Sequence, residues 1–424
     1  MDISTSKGSR SPQGVDMRIL ILAQHFYPED VSGAVYATQL AESLVQRGHK
    51  VAFATCFPNY PKGIVFKGYR HKLLMVEQYG EVKVARSWSY TSSKKNTIRR
   101  VANDVSFSIF VLFAALAAGK PDVLLSYSPP LTLGVTAWVL RTLWRVPWVL
   151  RVEDLYPESA VVTGTITSKR LIRFLEKLEG FIYRKANRIS LITEGFRRNL
   201  LEKEVSKEKL SVAPVWSDPD EIIPSSRETH FRVENKWTDK FLVLYSGNVG
   251  NTSCLEDVVS AAAILREHSE IQFAIVGEGP KKQSLQEKVT QEQLNNVTFL
   301  PFVPRSRYAE VLASADISLV TLNKATAATS LPSKVFNYMS SQRAVIAVAP
   351  SDSELACMIA DCRCGISVQP GDPHALAEAI LRFRDDPSLR EELAGNGRQC
   401  IKAKFSREFC IDLFEQLLKD ASGC

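Results

Sequence analysis

The sequence predicts an α/β protein built from two doubly wound, parallel-sheet domains. Three observations carry this. Short apolar runs alternate with amphipathic helical stretches along nearly the whole chain, the strand–helix–strand grammar of such sheets. The alternation breaks once, at residues 214–240, where Pro214, Pro219 and Pro224 fall among polar residues. After the break, LVLYSGNVG at residues 242–250 runs from an apolar strand into glycines, with a helical stretch from about Leu255. Backbone N–H groups in such a turn can face a ligand, and a helix start favours negative charge. A phosphate cradle in mid-chain fits an enzyme acting on a nucleotide-linked substrate.

The elements follow in order. Residues 17–24 (MRILILAQ) form a strand, and residues 34–47 a helix with Val35, Leu40, Leu44 and Val45 on its apolar positions. Gly48 ends that helix as a C-terminal cap. Residues 51–55, 123–126, 148–152 and 189–193 are nearly continuous apolar runs, as expected of strands covered on both faces. In the second half, strands fall at 241–245, 272–276, 297–300, 317–321 and 344–348. Helices fall near 255–268, 281–292, 306–314 and 334–340, and residues 372–418 are mostly helical. The implied organisation is a polar tail at 1–16, a first domain at 17–213, a linker at 214–240, a second domain at 241–400, and a final helix at 401–424 able to pack back on the first domain.

Composition is that of a globular protein: 424 residues, 45% hydrophobic, 23% charged, net charge +7. A moderate positive charge suits phosphorylated substrates, anionic lipid or nucleic acid alike. The eight cysteines are scattered without a C-x-x-C pair, which argues against a metal cluster or a disulfide framework and for a reducing cytoplasm. The tail lacks the apolar core of a signal peptide. Residues 98–119 hold an apolar run from Val105 to Ala118 behind Arg99 and Arg100. The run itself is shorter than the ~20 residues of a membrane span. It reads either as a buried helix or, with Lys94 and Lys95 beside it, as a helix lying on a membrane surface.

Four motifs can carry chemistry. Gly247, Asn248 and Gly250 form the cradle. The loop HFYPED at residues 25–30, followed by Ser32 and Gly33, also leaves a strand and enters a helix, and Gly33 would let a phosphate or sugar approach the backbone. RVEDLYPES at residues 151–159 puts an arginine and three carboxylates, among them Asp154 and Glu158, at a strand end. They read either as groups that orient sugar hydroxyls or handle a proton, or as a helix cap with a surface charge cluster. SLPSKVFNYM at residues 330–339 places Ser333 at a helix start with Lys334 in its first turn, where a lysine opposes the dipole unless an anion is near. Two signals are weak: Asp218-Pro219-Asp220 has metal-binding spacing but lies in the linker, and Gly277-Glu278-Gly279 is half of a dinucleotide fingerprint.

These motifs together resemble glycosyltransferase family 4, in the exopolysaccharide and O-antigen branch similar to the colanic-acid fucosyltransferase and amino-sugar transferases. The resemblance spans residues 17–418 and rests on HFYPED and QLAESLVQRGHKV in 25–51, NYPKG at 59–63, RVEDLYPES at 151–159, YSGNVG at 245–250, FAIVGEGP at 273–280 and LPSKVFNYM at 331–339. It implies the GT-B fold, two Rossmann-like domains facing a central cleft, and retaining transfer of a hexose or amino-hexose from a UDP- or GDP-linked sugar. The donor would meet Gly33, Gly247, Asn248, Gly250, Gly277, Gly279, Phe302, Val303, Ser330, Leu331 and Lys334. Asp154 stands where many members carry a histidine, and with Glu158 it is the catalytic candidate. The family's two glutamates are replaced by Thr329 and Asn337, and Asn251-Thr252-Ser253 stands where a basic residue follows the cradle. Diphosphate charge would then fall to Lys334, Lys324 and Arg151. No cofactor, metal or nucleic acid is expected. The implied acceptor is a polyprenyl-diphosphate-linked or other glycan, met by a cytoplasmic enzyme held peripherally on the inner face of the cell membrane. A GT-B epimerase and a non-catalytic partner subunit are the rival readings.

Overall fold

A computed structural model describes residues 16–94, 97–327 and 331–423. An eight-stranded sheet contains β1 (Arg18–Leu22), β2 (Lys50–Cys56), β3 (Leu74–Tyr79), β4 (Val82–Ser87), β5 (Val123–Ser128), β6 (Trp148–Val152), β7 (Arg188–Leu191) and β8 (Leu210–Val212). Its order is β3-β4-β2-β1-β5-β6-β7-β8. Between these strands lie α1 (Ser32–Gln46), α2 (Thr97–Ala118), α3 (Leu133–Trp144), α4 (Glu158–Val162), α5 (Lys169–Lys185) and α6 (Glu194–Glu202). A six-stranded sheet follows, made of β9 (Phe241–Ser246), β10 (Ile271–Val276), β11 (Val297–Leu300), β12 (Ile317–Thr321), β13 (Ala344–Val348) and β14 (Gly365–Val368). Its order is β11-β10-β9-β12-β13-β14, and its paired strands are parallel. Its helices are α7 (His230–Glu234), α8 (Leu255–Ile264), α9 (Lys282–Gln291), α10 (Arg305–Ala313), α11 (Lys334–Ser340), α12 (Glu354–Cys362), α13 (Pro373–Asp385), α14 (Pro387–Cys400) and α15 (Arg407–Ser422).

Strand order reverses between β1 and β5 in the first sheet and between β9 and β12 in the second. In open α/β sheets, ligands bind beyond the strand carboxyl ends at such reversals, because the helices on either side diverge there. The cradle follows β9, and the HFYPED loop follows β1. Both motifs therefore stand at the position that topology reserves for binding. The strands that lead to them are buried along nearly their full length, which is why they read as unbroken apolar runs.

The chain divides into two compact units. The first holds residues up to Arg151, Ile182–Ile189 and the stretch from Glu415; the second holds Val152–Phe181 and Ser190–Phe414. Within the first unit Glu415 accepts hydrogen bonds from Arg47 at 2.6 Å and Lys419 at 2.5 Å. Burial works against its charged form, but those bonds outweigh it and bring the Glu415 pKa down to about 2. Residues 226–240, read as linker, are instead built into the second unit. Arg232 is buried and donates to the carbonyls of Ser314 at 2.7 Å and Lys240 at 2.8 Å and to the Asp316 carboxylate. One buried arginine among polar neighbours left no periodic signal.

Two other elements depart from the sequence reading. The hairpin β3–β4 is antiparallel, and alternate residues of β3 face solvent, so it carries no apolar run. Cys362 and Cys400 form a disulfide, with Cα atoms 5.6 Å apart, within the usual bridging range. They end α12 and α14, and 38 residues of sequence separate them, so no spacing motif announced the pair.

Helix α2 (Thr97–Ala118) has one buried and one exposed apolar face. Phe107, Val111, Ala114 and Ala115 are buried, whereas Ile98, Val101, Val105, Ile109, Phe113 and Leu116 are exposed at steps of three and four residues. At 22 residues, and by composition, it is long and apolar enough to cross a membrane; its buried face also makes it a helix of the domain.

Candidate active site

The cradle is shaped by tyrosines that the sequence reading did not single out. The Tyr338 hydroxyl on α11 accepts from the Ser246 N–H at 2.8 Å and donates to the Ser246 carbonyl at 3.1 Å, so the end of β9 is pinned. The Tyr245 hydroxyl donates to the Asn248 carbonyl at 2.7 Å and holds the turn from beneath. Gly247 has φ +149°, a backbone region that L side chains rarely adopt, and a Cβ there would stand 2.5 Å from the Lys334 Nζ. That ammonium lies 3.7 Å from the Tyr245 ring centroid. Burial lowers the Lys334 pKa to about 7, although part of the side chain remains solvent-accessible. Cation–π contact favours the charge; desolvation outweighs it. The result is a cation that, among the described residues, lacks an anionic partner, beside a glycine turn. A diphosphate is the kind of ligand that would restore its full charge.

Gly277 and Gly279 have a different basis from the one expected. A Cβ at Gly277 would lie 1.9 Å from the Gly247 carbonyl oxygen, and one at Gly279 would lie 2.3 Å from that of Val249. The Val249 N–H donates to the Glu278 carbonyl at 2.9 Å. These glycines let two loops pack backbone to backbone, so they support the cradle whether or not they touch a ligand. At Gly250 a Cβ would meet the Asn248 side chain at 2.5 Å. Asn248 itself is exposed. The helix after the cradle begins five residues beyond Gly250, and its first turn carries Glu256 and Asp257. Those carboxylates already answer the dipole of α8, so its N-terminus offers little to an added anion.

The remaining expected residues scatter in role. Phe302 is 55% exposed beyond β11 and offers a ring face; Val303 and Leu331 are half-buried. Ser330, and Thr329 at a family glutamate position, lie outside the described residues. Asn337, at the other, accepts from the Ser217 hydroxyl at 3.0 Å and faces the Tyr308 hydroxyl at 3.5 Å. Ser333 sits at the start of α11 without a side-chain capping bond. Lys324 is exposed on the loop after β12. Arg151, expected to meet phosphate, is 1% exposed within β6 and is unavailable to it. Asp154 is half-buried two residues past the end of β6. Glu158 is occupied: its carboxylate takes Lys203 at 2.8 Å and Asn199 at 3.1 Å, with Glu179 sharing Lys203. Burial pulls the Lys203 pKa down, and these carboxylates more than offset it. Glu158 therefore serves an ion-pair network. Asp218 accepts from the backbone of Asp220 and Glu221 at 3.0 and 3.3 Å, a turn role. Among the described residues, no group of three or more His, Cys, Asp or Glu is placed to hold a metal ion.

In the first unit, Gly33 has nothing within 4 Å of the position its Cβ would take. The loop before it holds a pair that the sequence did not separate from its neighbours. His25 Nδ1 lies 2.7 Å from Glu29 Oε2, and the Glu29 side chain is 1% exposed.

Comparison with known proteins bears on this geometry. The glycosyl transferases group 1 family matches residues 226–400, and the glycosyl transferase 4-like domain matches residues 33–216. WbjE of Pseudomonas aeruginosa, described as a probable glycosyltransferase, is 28% identical over 77% of this chain and 82% of its own length. WcaI of Escherichia coli K12, assigned to colanic acid biosynthesis as a glycosyl transferase, is 26% identical over 94% of this chain and 100% of its own. Among solved structures, sucrose-phosphate synthase from Thermosynechococcus elongatus aligns with a TM-score of 0.72 at 20% identity, covering 95% of this chain and 98% of that one. HepE of Anabaena, in complex with UDP, aligns with a TM-score of 0.71 at 17% identity over 95% and 100%. These structures match the two Rossmann-like domains of the GT-B fold.

Proposed function

We propose that this chain, which belongs to the family 4 glycosyltransferases of GT-B fold, moves a hexose or amino-hexose from a nucleoside diphosphate sugar to a glycan acceptor, with retention, in cell-surface polysaccharide synthesis. The observation that carries the donor class is the Lys334 ammonium held at the Gly247 turn, at the strand-order reversal of the second sheet. As the glycosidic bond to the diphosphate breaks, charge grows on the leaving oxygens. A pre-placed, desolvated cation stabilises that charge more than it stabilises the intact donor. Exposed Lys324 is the second candidate cation. In this reading no metal is needed, the departing phosphate helps to take the acceptor proton, and no protein nucleophile takes part. Asp154 orients donor-sugar hydroxyls. HepE is seen with UDP, so UDP-sugars are the first to try.

The same proposal places the enzyme on the cytoplasmic membrane face, with a polyprenyl-linked acceptor. The exposed apolar stripe of α2 next to Lys94, Arg99 and Arg100 supports it. A glycan anchored in lipid keeps its tail in the bilayer, and its enzyme gains by lying there.

The test is nucleotide release from a panel of UDP- and GDP-sugars with polyprenyl-linked glycans, with products read by mass spectrometry. Acceptor-dependent release that persists in EDTA is expected. Anomeric inversion in the product, or strict dependence on added magnesium, would overturn the mechanism. Interconversion of the sugar nucleotide without transfer would instead mark an epimerase.

A further inference from the structure

The His25–Glu29 pair lies at the carboxyl ends of β1 and β2, where the first sheet reverses its strand order. Glu29 is a buried carboxylate with three donors. Its Oε1 accepts the backbone N–H groups of Asn59 and Tyr60, both at 2.7 Å, and its Oε2 lies 2.7 Å from His25 Nδ1. With two amide donors already on Oε1, the Glu29 carboxylate takes Nδ1–H as its third donor at Oε2. That fixes the tautomer: in the neutral ring the lone pair is on Nε2, as in other carboxylate–imidazole pairs. Among the described residues Nε2 has no hydrogen-bond partner, and the His25 side chain is 30% exposed. The fold has thus buried an acid to aim an imidazole acceptor outward.

The surroundings suit a carbohydrate. The Tyr60 ring meets the imidazole edge-on, with centroids 5.9 Å apart. Tyr60 and Tyr27 are exposed, and the Tyr27 ring packs 4.6 Å from that of Tyr79. The exposed Tyr60 ring beside a directed acceptor matches a sugar, which presents an apolar ring face and hydroxyl donors. Asp104 on α2 interacts with the imidazole: burial raises its pKa to about 6, and Arg100 and His25 act against that rise.

We propose that the first unit carries a sugar subsite in which His25 Nε2 accepts a hydrogen bond from a sugar hydroxyl, with Tyr60 against the ring face. His25 is the binding residue, and Glu29 is a positioning residue that sets its tautomer. This rests on the glycosyltransferase reading for its ligand class. The hydroxyl can belong to the acceptor or to the donor sugar, and the two are separable.

The test is nitrogen-15 spectroscopy of the six histidines in the full chain, with His25 assigned by its loss in His25→Asn. The expected spectrum shows His25 protonated on Nδ1 at pH 8. Methyl glycosides of glucose, galactose, fucose and N-acetylglucosamine shift its Nε2 resonance if the site takes the acceptor; UDP-glucose does so, where UDP alone does not, if it takes the donor sugar. Glu29→Gln keeps an acceptor for the two amides but turns a donor toward Nδ1. It should move the proton to Nε2 and weaken sugar binding about tenfold or more, the loss of one hydrogen bond to an oriented acceptor. A wild-type His25 protonated on Nε2, or an Nε2 resonance unmoved by every glycoside and by UDP-glucose, would overturn the proposal. The glycosyltransferase reading fails separately, if the wild-type chain releases nucleotide from no sugar nucleotide.

Discussion

Replacing Lys334 with methionine should stabilise the protein and cripple donor binding at once. Methionine keeps an aliphatic chain against Tyr245 and removes the charge. The lysine pKa falls from 10.5 to about 7 on folding. The unfolded chain therefore binds more protons between these values, and wild-type stability rises with pH across that window. Below pH 7 the penalty is complete; above 10.5 it is gone. Each unit is worth about 1.4 kcal/mol, so full burial would give ~5 kcal/mol. The solvent that reaches part of the side chain cuts this to roughly half. Lys334→Met should thus gain ~2 kcal/mol at pH 6.5, or several degrees in Tm, and only about 0.7 kcal/mol at pH 9.5. UDP binding should weaken about 10- to 150-fold at pH 6.5, the worth of a charge-assisted contact. For the wild type, binding takes up a proton above pH 7, so its Kd should climb with pH. Differential scanning calorimetry and titration calorimetry at both pH values decide it. A Tm gain independent of pH, or a UDP Kd within threefold of wild type, would remove the lysine from the phosphate site.

Three further outcomes follow from the geometry. Gly277→Ala should lose about 1–3 kcal/mol and weaken UDP binding, because its Cβ would drive into the Gly247 carbonyl; unchanged melting and affinity would show that the two loops can part freely. Glu415→Gln should cost stability at pH 7 and little at pH 2: the folded carboxyl titrates near 2, so its contribution is present above the unfolded pKa and lost as pH falls through 2. A deficit that persisted at pH 2 would assign Glu415 a packing role instead. The chain should float with phosphatidylglycerol vesicles at low salt and release at high salt, each basic residue near the surface being worth about 1 kcal/mol, and Ile109→Asn with Phe113→Asn should abolish flotation at any salt; flotation unaffected by that pair would clear α2 of the role.

What was legible in the sequence was what repeats locally. A strand buried on both faces must be apolar throughout, so β1, β5, β9, β10 and β13 announced themselves, and Gly48 marked the end of α1 by its φ of +95°. The hairpin β3–β4 was missed because an edge strand with one wet face reads as polar chain. The Cys362–Cys400 bridge and the Arg232–Asp316 pair join residues far apart in sequence, and no local pattern encodes them.

The candidate site was legible as positions but not as roles. Glycine in a sequence says only that a side chain is absent, not what takes its place. At Gly247 the space goes to the Lys334 ammonium, at Gly277 to another backbone, and at Gly33 to nothing in the chain. Only the first and last can serve a ligand directly. The same holds for charge. Arg151, Glu158 and Lys334 all looked like ligand contacts, yet Arg151 is enclosed in the sheet and Glu158 is held by Lys203 and Asn199. Of these three, Lys334 is desolvated and, among the described residues, short of an anionic partner. That unbalanced state costs stability, which a fold tolerates where something else restores the balance. The ligand that does so must be anionic and must fit a glycine turn, and a sugar-linked diphosphate meets both conditions.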